Sequence, residues 1–165
     1  MIKFGTDGWR ALIAEEFTYD NVRVVSQAVA DFIKAKNKQD EGYVVGYDNR
    51  FLSEEFARIA AEVLVSNNIK TYLCVDAVPT PVLSYAVVEK KAFGGVMITA
   101  SHNPYNYNGY KIKMHCGSSA TEDITTAIET NVGVSDVVIN PTFFSNIERI
   151  NLRKSYIDYV KSKVD

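Results

Sequence analysis

The chain has 165 residues, 47% of them hydrophobic, and a formal net charge of −2. That length suits one domain with a core that needs no disulfides, and the charge excludes a global field that would recruit nucleic acid or an anionic membrane. No segment reaches the ~20 apolar residues of a membrane span, and the N-terminal MIKFGTDGWR has no apolar stretch of signal length, so a cytoplasmic protein is expected.

Taken in chain order, residues 21–36 place Val22, Val25, Ala28, Val29, Phe32 and Ile33 on one helical face, with Asp20 as the expected N-cap. Tyr43-Val44-Val45-Gly46-Tyr47 reads as a buried strand that opens into the polar loop Asp48-Asn49-Arg50. Ser53 is the expected cap of a second helix with Glu54 and Glu55 in its first turn; Phe56, Ile59, Ala60, Val63 and Leu64 form its apolar face and Asn67-Asn68 ends it. Thr71 to Val75 is a further strand. Thr80-Pro81 starts a third helix, threonine as cap and proline at the first helical position. Gly94-Gly95 leads into a strand through Val96-Met97-Ile98.

After the loop 101–109, a strand from Tyr110 to about Cys116 returns, and its alternation suits an antiparallel edge. Thr121 caps a fourth helix that runs to about Asn131. Residues 133–150 read as an irregular connection, and a terminal helix follows, with Leu152, Tyr156, Tyr159, Val160 and Val164 on one side. Strands alternating with helices imply a three-layer α/β/α fold with a mixed, mostly parallel sheet. Cys74 and Cys116 both sit in apolar, strand-like runs and are expected to be reduced core thiols.

In such a sheet, sites lie beyond the carboxyl ends of the parallel strands. Three loops qualify: Asp48 to Arg50, Asp76 to Thr80, and Thr99 to Lys111. The third is the richest in chemistry. Ser101 is a nucleophile or group carrier, and His102 and Lys111 can move protons or hold anions. Asn108-Gly109 reads as a turn that tolerates positive φ. Ser-His adjacency is no catalytic triad, because neighbouring strand residues point to opposite faces. Near the N-terminus, Phe4-Gly5-Thr6-Asp7-Gly8-Trp9-Arg10 frames Thr-Asp between glycines and ends in a phosphate-binding fork, Arg10; a structured turn with Trp9 in the core fits the same residues. No Gly-x-Gly-x-x-Gly, P-loop or His-Cys metal set is present. The acidic pairs Glu15-Glu16, Glu54-Glu55 and Glu122-Asp123 fit helix ends and exposed turns.

Thr99-Ala100-Ser101-His102-Asn103-Pro104 followed by Asn108-Gly109-Tyr110-Lys111 resembles the phosphoserine loop of the α-D-phosphohexomutases, the family of phosphoglucomutases, phosphomannomutases and phosphoglucosamine mutases. The stretch from Phe4 to Arg10 is similar to that family's N-terminal signature, Asp48-Asn49-Arg50 to its Asp-x-Arg strand end, and Pro79-Thr80-Pro81 to the turn before its third helix. The resemblance covers residues 1–150 and implies the first, phosphoserine domain of four. Residues 151–165 would then be a linker and the start of a helix of a missing second domain.

By that resemblance Ser101 carries the phosphoryl group, His102 is its active-site neighbour, Lys111 is the general acid/base and Arg10 supports it. The implied reaction interconverts hexose 1-phosphate and hexose 6-phosphate through a bisphosphorylated sugar, and Trp9 points toward glucose or mannose. The implied partners are the phosphosugar and domains 2–4. The implied cofactors are Mg2+, held here only through the phosphate on Ser101, and glucose 1,6-bisphosphate as activator; the fragment alone is expected to be inactive. Alternatives are a non-catalytic sugar-phosphate-binding module, a phosphoglucosamine mutase, and a hydrolase using Ser101 with His102.

Overall fold

The structure, a computed structural model, describes residues 2–5 and 8–164. Thr6 and Asp7 of the N-terminal signature therefore lie outside the described residues. The elements in order are β1 (Trp9–Leu12), α1 (Tyr19–Ala35), β2 (Tyr43–Tyr47), α2 (Ser53–Ser66), β3 (Thr71–Cys74), α3 (Thr80–Glu89), β4 (Gly94–Ile98), β5 (Tyr107–Met114), α4 (Glu122–Glu129), β6 (Glu148–Ile150) and α5 (Arg153–Lys161). They form one sheet in the order β1-β5-β4-β2-β3-β6.

β2, β3, β4 and β6 pair in parallel, whereas β5 is antiparallel to both β4 and β1. The expected α/β/α class with a mostly parallel sheet holds. The reversed strand, however, is second from the edge, because Trp9–Leu12 forms a further strand outside it. Four residues give too short a run for periodicity to separate a strand from a turn. At the opposite edge, Glu148–Ile150 adds a sixth strand inside the segment expected to be irregular. Its burial pattern, two exposed residues and then one buried, carries no apolar run to announce it.

Period-two alternation assigns each strand residue to a layer. Tyr43, Val45, Val96, Ile98, Tyr110 and Ile112 meet α1, α2 and Ile128 of α4, while Val44, Cys74 and Met97 meet Val82, Leu83, Ala86 and Val87 of α3. Leu152 joins that second layer, and α5 rests beside α3 through the ring contacts of Tyr156 and Tyr159 with Tyr85. Trp9 stacks on Phe17 at 4.6 Å between centroids, which anchors β1 to the core.

Helix starts differ from expectation in detail. Thr18, not Asp20, caps α1, its hydroxyl accepting the Asn21 N–H at 3.2 Å. Leu52 in a left-handed conformation and Pro79 precede α2 and α3 without side-chain caps. Ser53 instead turns its hydroxyl to Asp48. Cys74 is buried as expected, but Cys116 is exposed, because β5 ends at Met114 and the chain has already entered the turn at Gly117, where φ is +81°.

Candidate functional site

β4 carries the chain to the carboxyl edge of the sheet, where Thr99 and Ala100 remain buried and Ser101 emerges into solvent. Ser101 is left-handed, with φ +56°, a conformation that costs a residue with a Cβ about 1–2 kcal/mol. Asn37, Asn68 and Lys91 also have positive φ, but each follows a helix C-terminus, where that conformation is ordinary; Ala14 and Leu52 share it in the turns after β1 and before α2. Ser101 follows a strand, so its conformation must be imposed by neighbours.

Those neighbours come from the β2–α2 loop. Thr99 Oγ1 accepts the Ser101 N–H at 3.0 Å and donates to Asp48 Oδ2 at 2.5 Å. Arg50 Nη2 donates to the carbonyls of Ser101 and Asn103, both at 2.7 Å, and Nη1 to those of Pro104 at 2.9 Å and Tyr107 at 3.1 Å. Asp48 holds Arg50 in turn: its Oδ1 accepts the Arg50 N–H at 3.0 Å, and Nε lies 3.5 Å from Oδ2. Hydrogen bonds from a charged donor are each worth about 1.5–3 kcal/mol, enough to offset the cost of one left-handed residue. Arg50, in one of the three loops expected to border a site, is thus turned onto backbone.

Asn108 and Gly109 are also not the flexible turn expected of them. Both lie within β5 and are buried. Asn108 Nδ2 donates to Ser53 Oγ at 2.9 Å and its Oδ1 accepts the Gly109 N–H at 2.9 Å. A Cβ on Gly109 would sit 2.5 Å from the Thr99 carbonyl oxygen and 3.0 Å from that of Trp9. Glycine is required here by the close approach of strands on both sides. The Asn-Gly signal for a hairpin turn is identical in sequence, so residue types alone pointed to the wrong cause.

The cations arrive from the edge strand β1 and its neighbour β5. Arg10 pairs with Gly109 in the β1/β5 register and Lys111 with Met97 in the β5/β4 register. Arg10, Gly109, Lys111 and Met97 therefore share the face covered by α3. Arg10 is half-buried and its Nη1 donates to Asn103 Oδ1 at 2.9 Å. Lys111 is 6% exposed, and the backbone at Gly8 (φ +109°) passes so close that a Cβ there would fall 3.1 Å from Lys111 Cγ. The side chains of Ser101 and His102 stand exposed at the rim, and no hydrogen bond joins the two, as a serine hydrolase would need. In the loop expected from Asp76 to Thr80, Asp76 to Pro79 instead border a cavity of about 360 Å³ together with Leu152 and Tyr156.

The donor set can be tested for a metal. Among the described residues, no group of three or more His, Cys, Asp or Glu side chains is placed to hold an ion, and both oxygens of Asp48 are engaged by Arg50, Ser53 and Thr99. Asp48, Thr99 and Asn103 lie in the expected loops, but residue type assigned them no individual roles. Asp48 and Thr99 bind protein groups, which leaves no signature in a single sequence.

Residues 1–136 match the family model described as "Phosphoglucomutase/phosphomannomutase, alpha/beta/alpha domain I". A glucose 1,6-bisphosphate synthase from Mus musculus is 40% identical over 129 residues, 72% of this chain and 21% of that protein. A phosphoglucomutase from Staphylococcus haemolyticus is 31% identical over an alignment 177 positions long with its gaps, which covers 99% of this chain and 32% of that protein. The chain thus spans about a fifth to a third of these relatives. Among solved structures, a candidate phosphomannomutase from Thermus thermophilus superposes with TM-score 0.91 at 36% identity, covering 99% of this chain and 36% of that one.

Proposed function

The chain belongs to the phosphoglucomutase/phosphomannomutase family, and from that premise we propose that it is the phosphoserine-bearing first domain of a phosphohexomutase acting on glucose or mannose phosphates. The observation that carries this proposal is the exposed, left-handed Ser101 at the end of β4, braced by the β2–α2 loop, with Arg10 tied to the loop that carries Ser101 and Lys111 on the same sheet face as Arg10. Phosphoryl transfer needs positioning and charge neutralisation more than covalent help, and a braced serine beside two cations offers both.

In this mechanism a phosphate on Ser101 carries about −1.5 to −2 charge. The P–Oγ bond breaks as a bond forms from phosphorus to a free hydroxyl of the hexose phosphate. Lys111, as its ammonium, gives a proton to the departing Ser101 Oγ and takes up the proton of the attacking hydroxyl, so that it ends the step protonated as it began. The resulting bisphosphate reorients, and its other phosphate returns to Ser101 by the reverse steps. Arg10 offsets phosphate charge and is held in place by Asn103. Mg2+, when bound, would neutralise phosphate charge; this chain would hold it through a phosphate oxygen on Ser101, with its other ligands outside residues 1–165. Residues 151–165 are assigned to the passage into the following domain. The mouse relative's name gives glucose 1,6-bisphosphate as its product, which supports a bisphosphate as activator here.

The test is a coupled assay of the full-length protein with glucose 1-phosphate, Mg2+ and glucose 1,6-bisphosphate, run in parallel with mannose and glucosamine phosphates. Ser101→Ala is expected to abolish turnover while leaving the folded domain intact. Wild-type activity in that variant would overturn the assignment, and a preference for glucosamine phosphate would overturn the substrate choice.

A further inference from the structure

Four carbonyls of one loop, those of Ser101, Asn103, Pro104 and Tyr107, converge on a single guanidinium from another loop. Backbone carbonyls around a phosphate-carrying residue are an electrostatic hazard, because each presents partial negative charge. Among the described residues no peptide bond is cis, and in a trans peptide the C=O and the following N–H point opposite ways. Turning the Ser101 and Pro104 carbonyls toward Arg50 therefore turns the N–H groups of His102 and Tyr105 away from it. The Arg50 side chain is only 15% exposed and is paired with Asp48, so it is placed to orient the loop rather than to meet a ligand.

We propose that Arg50 is the positioning residue of the Ser101 loop: its two Nη groups gather the loop carbonyls inward, so that a phosphate on Ser101 is spared those carbonyl oxygens and meets the cations of β1 and β5. This deepens the assignment of Ser101 as phosphoryl carrier and rests on it. Lysine cannot substitute, because one ammonium nitrogen with three donors lacks the planar fork that spans four acceptors.

The test uses the 165-residue chain with phosphoserine incorporated at position 101, as wild type, Arg50→Lys and Arg50→Ala. Two readings are taken: amide hydrogen exchange of the peptide covering 99–107, and the 31P resonance of phosphoserine titrated against pH. Arg50→Lys is expected to speed exchange of that peptide by roughly tenfold or more, leave the α1 peptides unchanged, and move the phosphate's second ionisation up toward that of a free phosphopeptide, near ~6. Arg50→Ala should do at least as much; if it fails to fold, Arg50→Lys carries both readings. Exchange and titration both at wild-type values in Arg50→Lys would overturn the proposal, since a role through charge alone survives that substitution. A wild-type phosphate that titrates like a free phosphopeptide would count against the carrier assignment instead, while the exchange of 99–107 still decides the role of Arg50.

Discussion

Arg10 Nη1 donates to Asn103 Oδ1 at 2.9 Å, which ties the edge strand β1 to the loop that carries Ser101. The bond fixes both where the guanidinium points and where the loop sits beyond Ser101. Arg10→Met in the full-length protein is expected to lower kcat/KM by about 10²-fold or more, the scale for losing one preorganised charge-stabilising donor. Asn103→Ala should lose less, about tenfold, because the guanidinium remains but is no longer aimed. Steady-state mutase kinetics of both variants check the order; a larger loss in Asn103→Ala would contradict it.

Gly109→Ala should destabilise the domain by about 2–4 kcal/mol. The added Cβ would meet two backbone oxygens, those of Thr99 and Trp9, and strands hydrogen-bonded on both sides cannot move apart locally. Urea unfolding followed by tryptophan fluorescence is a suitable measurement, since Trp9 is the chain's one tryptophan and is buried. An unchanged midpoint would show that the strands yield.

Alkaline pH should weaken the fold from about pH 9 upward. Burial pushes the Cys74 thiol from its ordinary 9.0 to about 12. Between those values the unfolded chain has released a proton that the folded chain still holds, so stability falls as pH rises, by at most about 1.4 kcal/mol per pH unit for one group. Burial also raises Tyr43 and Tyr110 above their ordinary 10.0, so their contribution adds at higher pH with the same sign. Cys74→Ala should flatten the stability curve between pH 9 and 10, as read from denaturant midpoints.

Thiol labelling should distinguish the two cysteines. Cys116 is exposed, and a hydrogen bond with Ser118 lowers its pKa, so the native chain should take up one equivalent of iodoacetamide at neutral pH. Cys74 should react only on unfolding. Ser118→Ala should slow the labelling of Cys116. Peptide mass mapping before and after denaturation gives the assignment, and early labelling at Cys74 would contradict the packing described.

The elements legible in the sequence were those with their own hydrophobic period. β2 was expected and found at Tyr43–Tyr47, and the buried face of α2 contains each residue assigned to it. β1 and β6 were not legible because each is short and owes its conformation to a neighbouring strand. Arg10, Ser101, His102 and Lys111 were picked out by residue type together with family resemblance. The role of Arg50 was not legible: an arginine in a polar loop reads as an anion fork, and only coordinates reveal that its acceptors are carbonyls more than fifty residues away. Cys116 was misplaced because an apolar run into a strand end does not mark where the strand stops.

The dependence of the Ser101 loop on Asp48, Arg50 and Ser53 has a consequence for protein engineering. Residues 99–107 are not a transferable cassette. Moved onto another scaffold without the β2–α2 loop, the segment would keep its full chemical inventory and lose the bonds to Asp48 and Arg50 that hold Ser101 left-handed. The portable unit is a pair of loops from two adjacent parallel strands, and a library that diversifies one of them must diversify the other with it.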